Sequence, residues 1–330
     1  MNGVNGGKRT IEGIASPLAG INNELRLYRQ KLYKQMKVSK LLSSVLFEPW
    51  MMLPEAAELH LPMIAAWLLG NEIQFEEKGR LDIQMAFAGR ISPGFPEDVA
   101  DMPDGSVAIV NLKGELTKYD GMCSYGAVTT GNLIKTLGAS KNISGVVIDF
   151  DGPGGSVNAI SPIIESIQFV QRQGKPIVGH ADLIASAHLY AGVYTDHLMM
   201  DNTISSHIGS IGVMTTLMDY REKLKQMGVD MKNIYATQST HKNLESEQAL
   251  EGDFTLLKKN VLDPLAAKFQ QAVREQRGAK LNEKVDGILN GAMFFAEDAV
   301  KNGLADSIGT LEDSIQRVLD LVEVRKFMKR

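Results

Sequence analysis

Gly145-Val146-Val147-Ile148-Asp149-Phe150-Asp151-Gly152-Pro153-Gly154-Gly155-Ser156-Val157 is the stretch that decides how this chain folds. Its first half is almost wholly apolar, the pattern of a strand covered on both faces. Its second half breaks that strand with Gly-Pro-Gly-Gly. A helical pattern follows over 158–173, with Ile160, Ile163, Ile164, Ile167 and Val170 on one face. Outward from there, Val107–Leu112 and Pro176–His180 are two more β-rich runs, and 124–137 is a second helical one. Strands and helices alternating at this spacing predict βαβ units and a mostly parallel sheet, an α/β fold.

Further downstream, 198–200, 208–213 and 231–236 read as extended, and 214–227 reads as a helix stopped by Gly228. A long helical pattern over 244–277 carries Pro264, which should kink or interrupt it. A final helix is expected over 311–327. Upstream, 22–47 predicts one or two helices, and Pro54 opens another that reaches about Gly70. Residues 71–104, with Pro93, Pro96 and Pro103, read as a linker holding one short strand. The expected organisation is a helical extension and linker over 1–104, then a main domain over 105–330 that ends on a helix.

The 330 residues are 44% hydrophobic and 22% charged with a net charge of −4, values of a water-soluble globular protein without a basic nucleic-acid-binding stripe. A single cysteine, Cys123, leaves no disulfide within the chain and no cysteine-based metal site, and reads as a packed or loop thiol. The first twenty residues lack the apolar core of a secretory signal. The longest apolar stretch, Leu59–Leu69, is interrupted by His60 and Pro62 and falls short of the roughly 20 residues a membrane span needs. No membrane anchor is expected, and the protein is expected to work in solution.

Chemistry enters about one βαβ unit after the glycine turn, at Ala185-Ser186-Ala187-His188-Leu189-Tyr190. A serine between two small residues at a helix start can attack a carbonyl, given a base within reach and donors for the oxyanion. Gly154 and Gly155 let the backbone approach a substrate closely. The N–H of Ala187, next after the serine, is a second donor. These pieces suggest a serine hydrolase acting on peptide bonds. Spacing does not fix the base: six histidines are present, and a lysine also serves where burial lowers its pKa.

From Ser106 to about Gly309 the chain resembles the signal peptide peptidase A family of serine proteases, whose fold is similar to the Clp protease subunit and crotonase. The resemblance runs in order through Val107–Leu112, Asp149–Gly155, Ala185–Tyr190, Gly209-Ser210-Ile211-Gly212-Val213 and Ala299–Asp306. It implies a Clp/crotonase-like ββα superhelix over 105–330 with the helical extension in front. It also implies a Ser–Lys dyad with Ser186 as nucleophile and Lys242 as general base, and with Gly154, Gly155 and Ala187 holding the oxyanion. His207 or His241 as base is the alternative. Ser210 falls in a structural segment by the same pattern. Gly152 stands where the family usually carries serine, and His188 and Leu189 replace small or aromatic residues. Neither a metal nor an organic cofactor is implied.

Phe47-Glu48-Pro49-Trp50 and Pro54-Glu55-Ala56 resemble the region before the catalytic domain in the phage head-maturation (lambda C-type) branch. That implies cleavage of scaffold or capsid proteins by a homo-oligomer, in a host cytoplasm or a procapsid, with no nucleic-acid partner. The other readings are a signal-peptide-peptidase-like cytoplasmic protease of bacterial or prophage origin, an inactive structural homologue, and a crotonase-like acyl-CoA enzyme.

Overall fold

A computed structural model of the chain describes residues 49–53, 56, 83–88, 90–94, 96–121, 124–217, 219, 221–230 and 232–328. The helices expected over 22–47 and 54–70, Ala56 apart, lie outside the described residues, as does Cys123.

The apolar run that opens the sequence reading becomes β5 (Ile143–Gly152), the middle of a nine-stranded sheet. On one side it pairs in parallel with β4 (Ser106–Lys113), Val147 opposite Ile109. On the other it pairs in parallel with β7 (Ile177–Ala185), Val147 opposite Val178. The far edge of β7 is shared by two strands in succession. Val178–Ala181 pairs with β8 (His197–Met200), and Leu183–Ala185 pairs with β9 (His207–Gly209).

The side chains of β5 explain why both of its faces had to be apolar. Val146, Ile148 and Phe150 pack under α1 (Ala127–Ala139) and α2 (Ile160–Arg172), in one core with Ile134, Leu137, Ile163 and Ile167. Val147 points the other way, joining Val107, Ile109 and Val178 beneath Val318 of α8 (Leu311–Met328). Each such fully buried aliphatic side chain contributes about 1.5–3 kcal/mol.

Residues 71–104, expected as a linker with one strand, supply two: β2 (Ile83–Phe87) and β3 (Arg90–Gly94), an antiparallel hairpin. β2 then pairs antiparallel with β4, which extends the sheet by two strands. The helix expected over 214–227 shrinks to α4 (Arg221–Gln226), which buries no residue. Leu217 and Met227 remain 41% and 59% exposed, so the apolar spacing has no surface to pack on. Residues 232–236, expected as extended, form neither a helix nor a strand.

The long helical pattern divides. α5 (Leu244–Leu250) ends as Gly252 takes φ 91°, and a helical turn at Thr255–Leu257 passes through a π-helical stretch, Lys258–Leu262. α6 (Asp263–Arg277) follows it directly, with Pro264 in its first turn. Between β7 and β8 lies α3 (Ala187–Gly192), which the sequence reading placed only as a helix start. β10 (Met293–Phe295), α7 (Ala296–Asn302) and β11 (Ser307–Ile308) complete the chain before α8. No described helix is long and apolar enough to cross a membrane.

Candidate active site

β7 ends at Ala185 and α3 begins at Ala187, so Ser186 is the single residue of the turn between them. It holds φ 54° and ψ −112°, a conformation rare for a residue with a side chain. Such a position is sustained only when its surroundings over-determine it. Here the Ser186 N–H donates to the Gly209 carbonyl at 3.0 Å, and the Tyr190 N–H closes the first turn of α3 on the Ser186 carbonyl at 2.9 Å. The Gly209–Val213 motif thus supports the serine. Ser210 itself sits at φ 56° with its N–H on the Ala292 carbonyl. The Ser186 side chain is buried, and its Oγ has no hydrogen-bond partner among the described residues.

The glycine turn lies alongside. Gly154–Ser156 is a short strand, β6, bonded on one edge to Leu116: the Leu116 N–H donates to Gly154 at 2.9 Å, and the Ser156 N–H donates to Leu116 at 2.8 Å. Gly154 holds φ 112°, and a Cβ there would lie 2.1 Å from the Met51 carbonyl oxygen, so only glycine fits. Its N–H donates to His188 Nδ1 at 3.2 Å, which ties α3 to the glycine strand.

His188 is fully buried, with the ring edge-on to Phe150 at 6.3 Å. Burial pushes its pKa down to about 4, against a smaller opposing pull from the Leu112 backbone. The ring is therefore neutral, with Nδ1 as acceptor and the proton on Nε2. Gly152 is the counterpart of this histidine: a Cβ at 152 would sit 2.4 Å from His188 Cε1. The two departures from the family pattern thus form one matched pair, a bulky ring occupying the space that a side chain at 152 would need.

This arrangement sets a pH dependence. Unfolded, His188 takes up a proton near its ordinary value of about 6.5; folded, it resists protonation down to about 4. Stability is therefore complete above pH 6.5 and declines as pH falls to about 4, by about 3 kcal/mol for this group. Urea denaturation across that range should show the decline, and His188→Gln should flatten it by that amount. Equal slopes in parent and variant would refute it.

The candidate bases singled out in the sequence lie on other segments of the chain. Lys242 is exposed in a turn, and its N–H donates to the Ser239 carbonyl at 3.2 Å. His241 is exposed, with Nδ1 2.9 Å from Thr240 Oγ1. His207 lies against the Phe295 ring at 4.1 Å. None of them bonds to Ser186 Oγ. Ala187 is fully buried at the head of α3.

Sequence reasoning missed a polar cluster below the glycine turn. His180 Nδ1 meets Asp149 Oδ1 at 2.8 Å, while Asp149 Oδ2 meets Lys113 Nζ at 3.0 Å. Burial pushes the Asp149 carboxyl up, but the His180 and Lys113 contacts outweigh it and hold it low. Asp149 stands opposite His180 in the β5–β7 register, a pairing that only the folded sheet creates.

Comparison with known proteins finds proteases among the matches. The family model described as peptidase family S49 matches residues 170–325. Protease 4 of Haemophilus influenzae is 26% identical over 251 residues, covering 70% of this chain and 38% of that protein. Capsid assembly protease C of Escherichia phage lambda is 27% identical over 224 residues, covering 67% and 49%. The head-tail preconnector protein GP5 of Enterobacteria phage P21 is 27% identical over 210 residues, covering 63% and 40%. The chain thus spans less than half the length of these three relatives. Among solved structures, the 1510-N membrane-bound stomatin-specific protease aligns with 15% identity and a TM-score of 0.41, covering 66% of this chain and 84% of that one.

Proposed function

We propose, from a chain whose residues 170–325 match the model described as peptidase family S49, that the protein is an ATP-independent serine endopeptidase with a Ser186–Lys242 dyad. The observation that carries this reading is Ser186 itself. Its hydroxyl stands at a strained strand-to-helix turn, without a hydrogen-bond partner among the described residues, at the head of a helix tied to a glycine strand.

In the reaction, Lys242 Nζ takes the Ser186 proton and Oγ attacks the scissile carbonyl carbon. The Ala187 N–H and that of Gly154 or Gly155 receive the oxyanion. Collapse expels the amine, which takes the proton back from Lys242. Water, activated by the same lysine, then releases the acyl group. For Gly154 to serve, its N–H must turn away from His188.

A lysine acts as base only when uncharged, and burial is what disfavours the ammonium. Lys242 lacks that burial in its own fold. Ile234, on the same arm over residues 232–243, is 90% exposed. Apolar surface of this kind favours a homo-oligomer in which a neighbouring copy covers the arm and completes the dyad. The phage relatives favour scaffold or capsid proteins as substrates, cut during head maturation in a host cytoplasm or procapsid. The similarity to Protease 4 supports a second reading, a bacterial or prophage protease with other protein substrates.

The test is a fluorophosphonate probe with mass spectrometry of the labelled peptide, alongside co-expression with candidate head proteins. Label on Ser186 together with head-protein fragments is the expected result. Label on Ser186 without such fragments favours the second reading. A protein that takes no label and cuts nothing between pH 6 and 10 is not a peptidase.

A further inference from the structure

β1 (Trp50–Met52) takes no part in the nine-stranded sheet and pairs in a sheet of its own with β6. The pairing is antiparallel, with Trp50 opposite Ser156, Met51 opposite Gly155 and Met52 opposite Gly154. Two flanking bonds fix its phase. The Leu53 N–H donates to the Pro153 carbonyl at 2.9 Å, and the Val157 N–H donates to the Pro49 carbonyl at 3.3 Å. Each stands two residues from the Met51–Gly155 pair. Bonded pairs alternate with unbonded ones in such a ladder, so Met51 and Gly155 also exchange both bonds. The Gly155 N–H, one of the donors expected for the oxyanion, is therefore occupied by a peptide carbonyl of the chain itself.

The other edge of β1 is occupied too. Trp50 and Met214 exchange both bonds, at 2.8 and 2.9 Å. β1 thus lies extended between two walls, the glycine strand and the segment that leaves the Gly209–Val213 motif. Its three side chains are 5%, 1% and 3% exposed. A bound peptide adds to a protein in the same way, by a main-chain ladder with side chains pointing alternately to either side.

We propose that Pro49–Leu53 occupies the peptide-binding groove of this protein and must leave it before a substrate strand can enter. The inference rests on the peptidase reading and names the groove's first occupant: an extended, uncharged, apolar strand, Trp50 and Met52 toward one side and Met51 toward the other. Buried Ser186 Oγ, with no hydrogen-bond partner among the described residues, is the second observation that fits a filled site. Prolines on both flanks, Pro49 and Pro54, limit the ladder to these few residues, which suits a segment that must be released.

The test uses the full chain and two variants outside the proposed catalytic groups. Met51→Pro removes the N–H directed at the Gly155 carbonyl, and Trp50→Ala removes the largest anchoring side chain. Fluorophosphonate labelling of Ser186 should accelerate about tenfold or more in both. Hydrogen exchange at the Gly155 amide should rise with it, and a synthetic peptide spanning Phe47–Glu55 should return labelling of Trp50→Ala to the parental rate. Ser186 labelling at parental or lower rates in cooperatively folded variants would overturn the proposal and make β1 a fixed structural strand. Faster Gly155 exchange with no labelling in any of the proteins would sink the peptidase reading, and the proposed competition with it.

Discussion

Ser186→Ala and Lys242→Ala, each expressed alone, will lose peptide-bond hydrolysis by roughly four to six orders of magnitude, and co-expressing them will restore about a quarter of the parental rate. The loss follows from the roles assigned: without the hydroxyl there is no acyl-enzyme, and without an uncharged amine the hydroxyl keeps its proton. The recovery follows from where Lys242 lies, exposed on an arm that makes no bond to Ser186 in its own fold. If a neighbour completes the dyad, random assembly of the two variants pairs an intact serine with an intact lysine at about one site in four. A mixture no better than its components would place the dyad within one chain, through closure of the arm. Full activity in Lys242→Ala would remove the lysine from the mechanism and return the histidines to consideration.

Arg277→Ala will cost about 3–5 kcal/mol of folding stability, measured by urea denaturation at pH 7. Arg277 is the last residue of α6 and is buried. Its Nε donates to the Gly303 carbonyl at 2.7 Å, and its two terminal nitrogens clasp Asp306 at 2.9 and 2.8 Å. Asp306 also accepts from the Leu198 N–H at 2.9 Å and from Lys280 at 2.7 Å. One carboxylate thereby fastens α6 and the Ala299–Asp306 segment to β8.

Burial pushes the Asp306 carboxyl up, but Arg277, Lys280 and the Leu198 N–H reverse that and hold it far below the usual carboxylate range. The pair therefore contributes fully above the unfolded value of about 3.9, and its contribution fades as pH falls toward the folded value. The gap between parent and Arg277→Ala should narrow on acidification below pH 4. The double variant Arg277→Met/Asp306→Leu should recover much of the loss, since it leaves no buried charge unpaired. A loss under 1 kcal/mol in the single variant would contradict this account.

Ala299–Asp306, one of the stretches that carry the resemblance, is tied into the fold through Asp306. The Gly209–Val213 signature likewise works through the backbone, holding the Ser186 amide. By contrast, β1 gave almost no signal. Three residues between prolines have no measurable periodicity, and their partners lie about a hundred residues downstream. Residues 214–227 show the opposite error, a helical spacing with no apolar surface to meet it.

Residues 143–185 carried their own structure in the amino-acid order. A strand buried on both faces must be apolar throughout, a Gly-Pro-Gly-Gly stop must follow, and one face of the next helix must match the core. Those constraints are local, so the parallel sheet, the glycine turn and a serine at the head of a helix were determined by sequence alone. Contacts between distant segments were decided by the tertiary structure: His188 filling the space at Gly152, Arg277 clasping Asp306, and β1 against the glycine strand. Each depends on which surfaces the packed layers bring within a few ångströms, and that distance is not written in the spacing of residues along the chain.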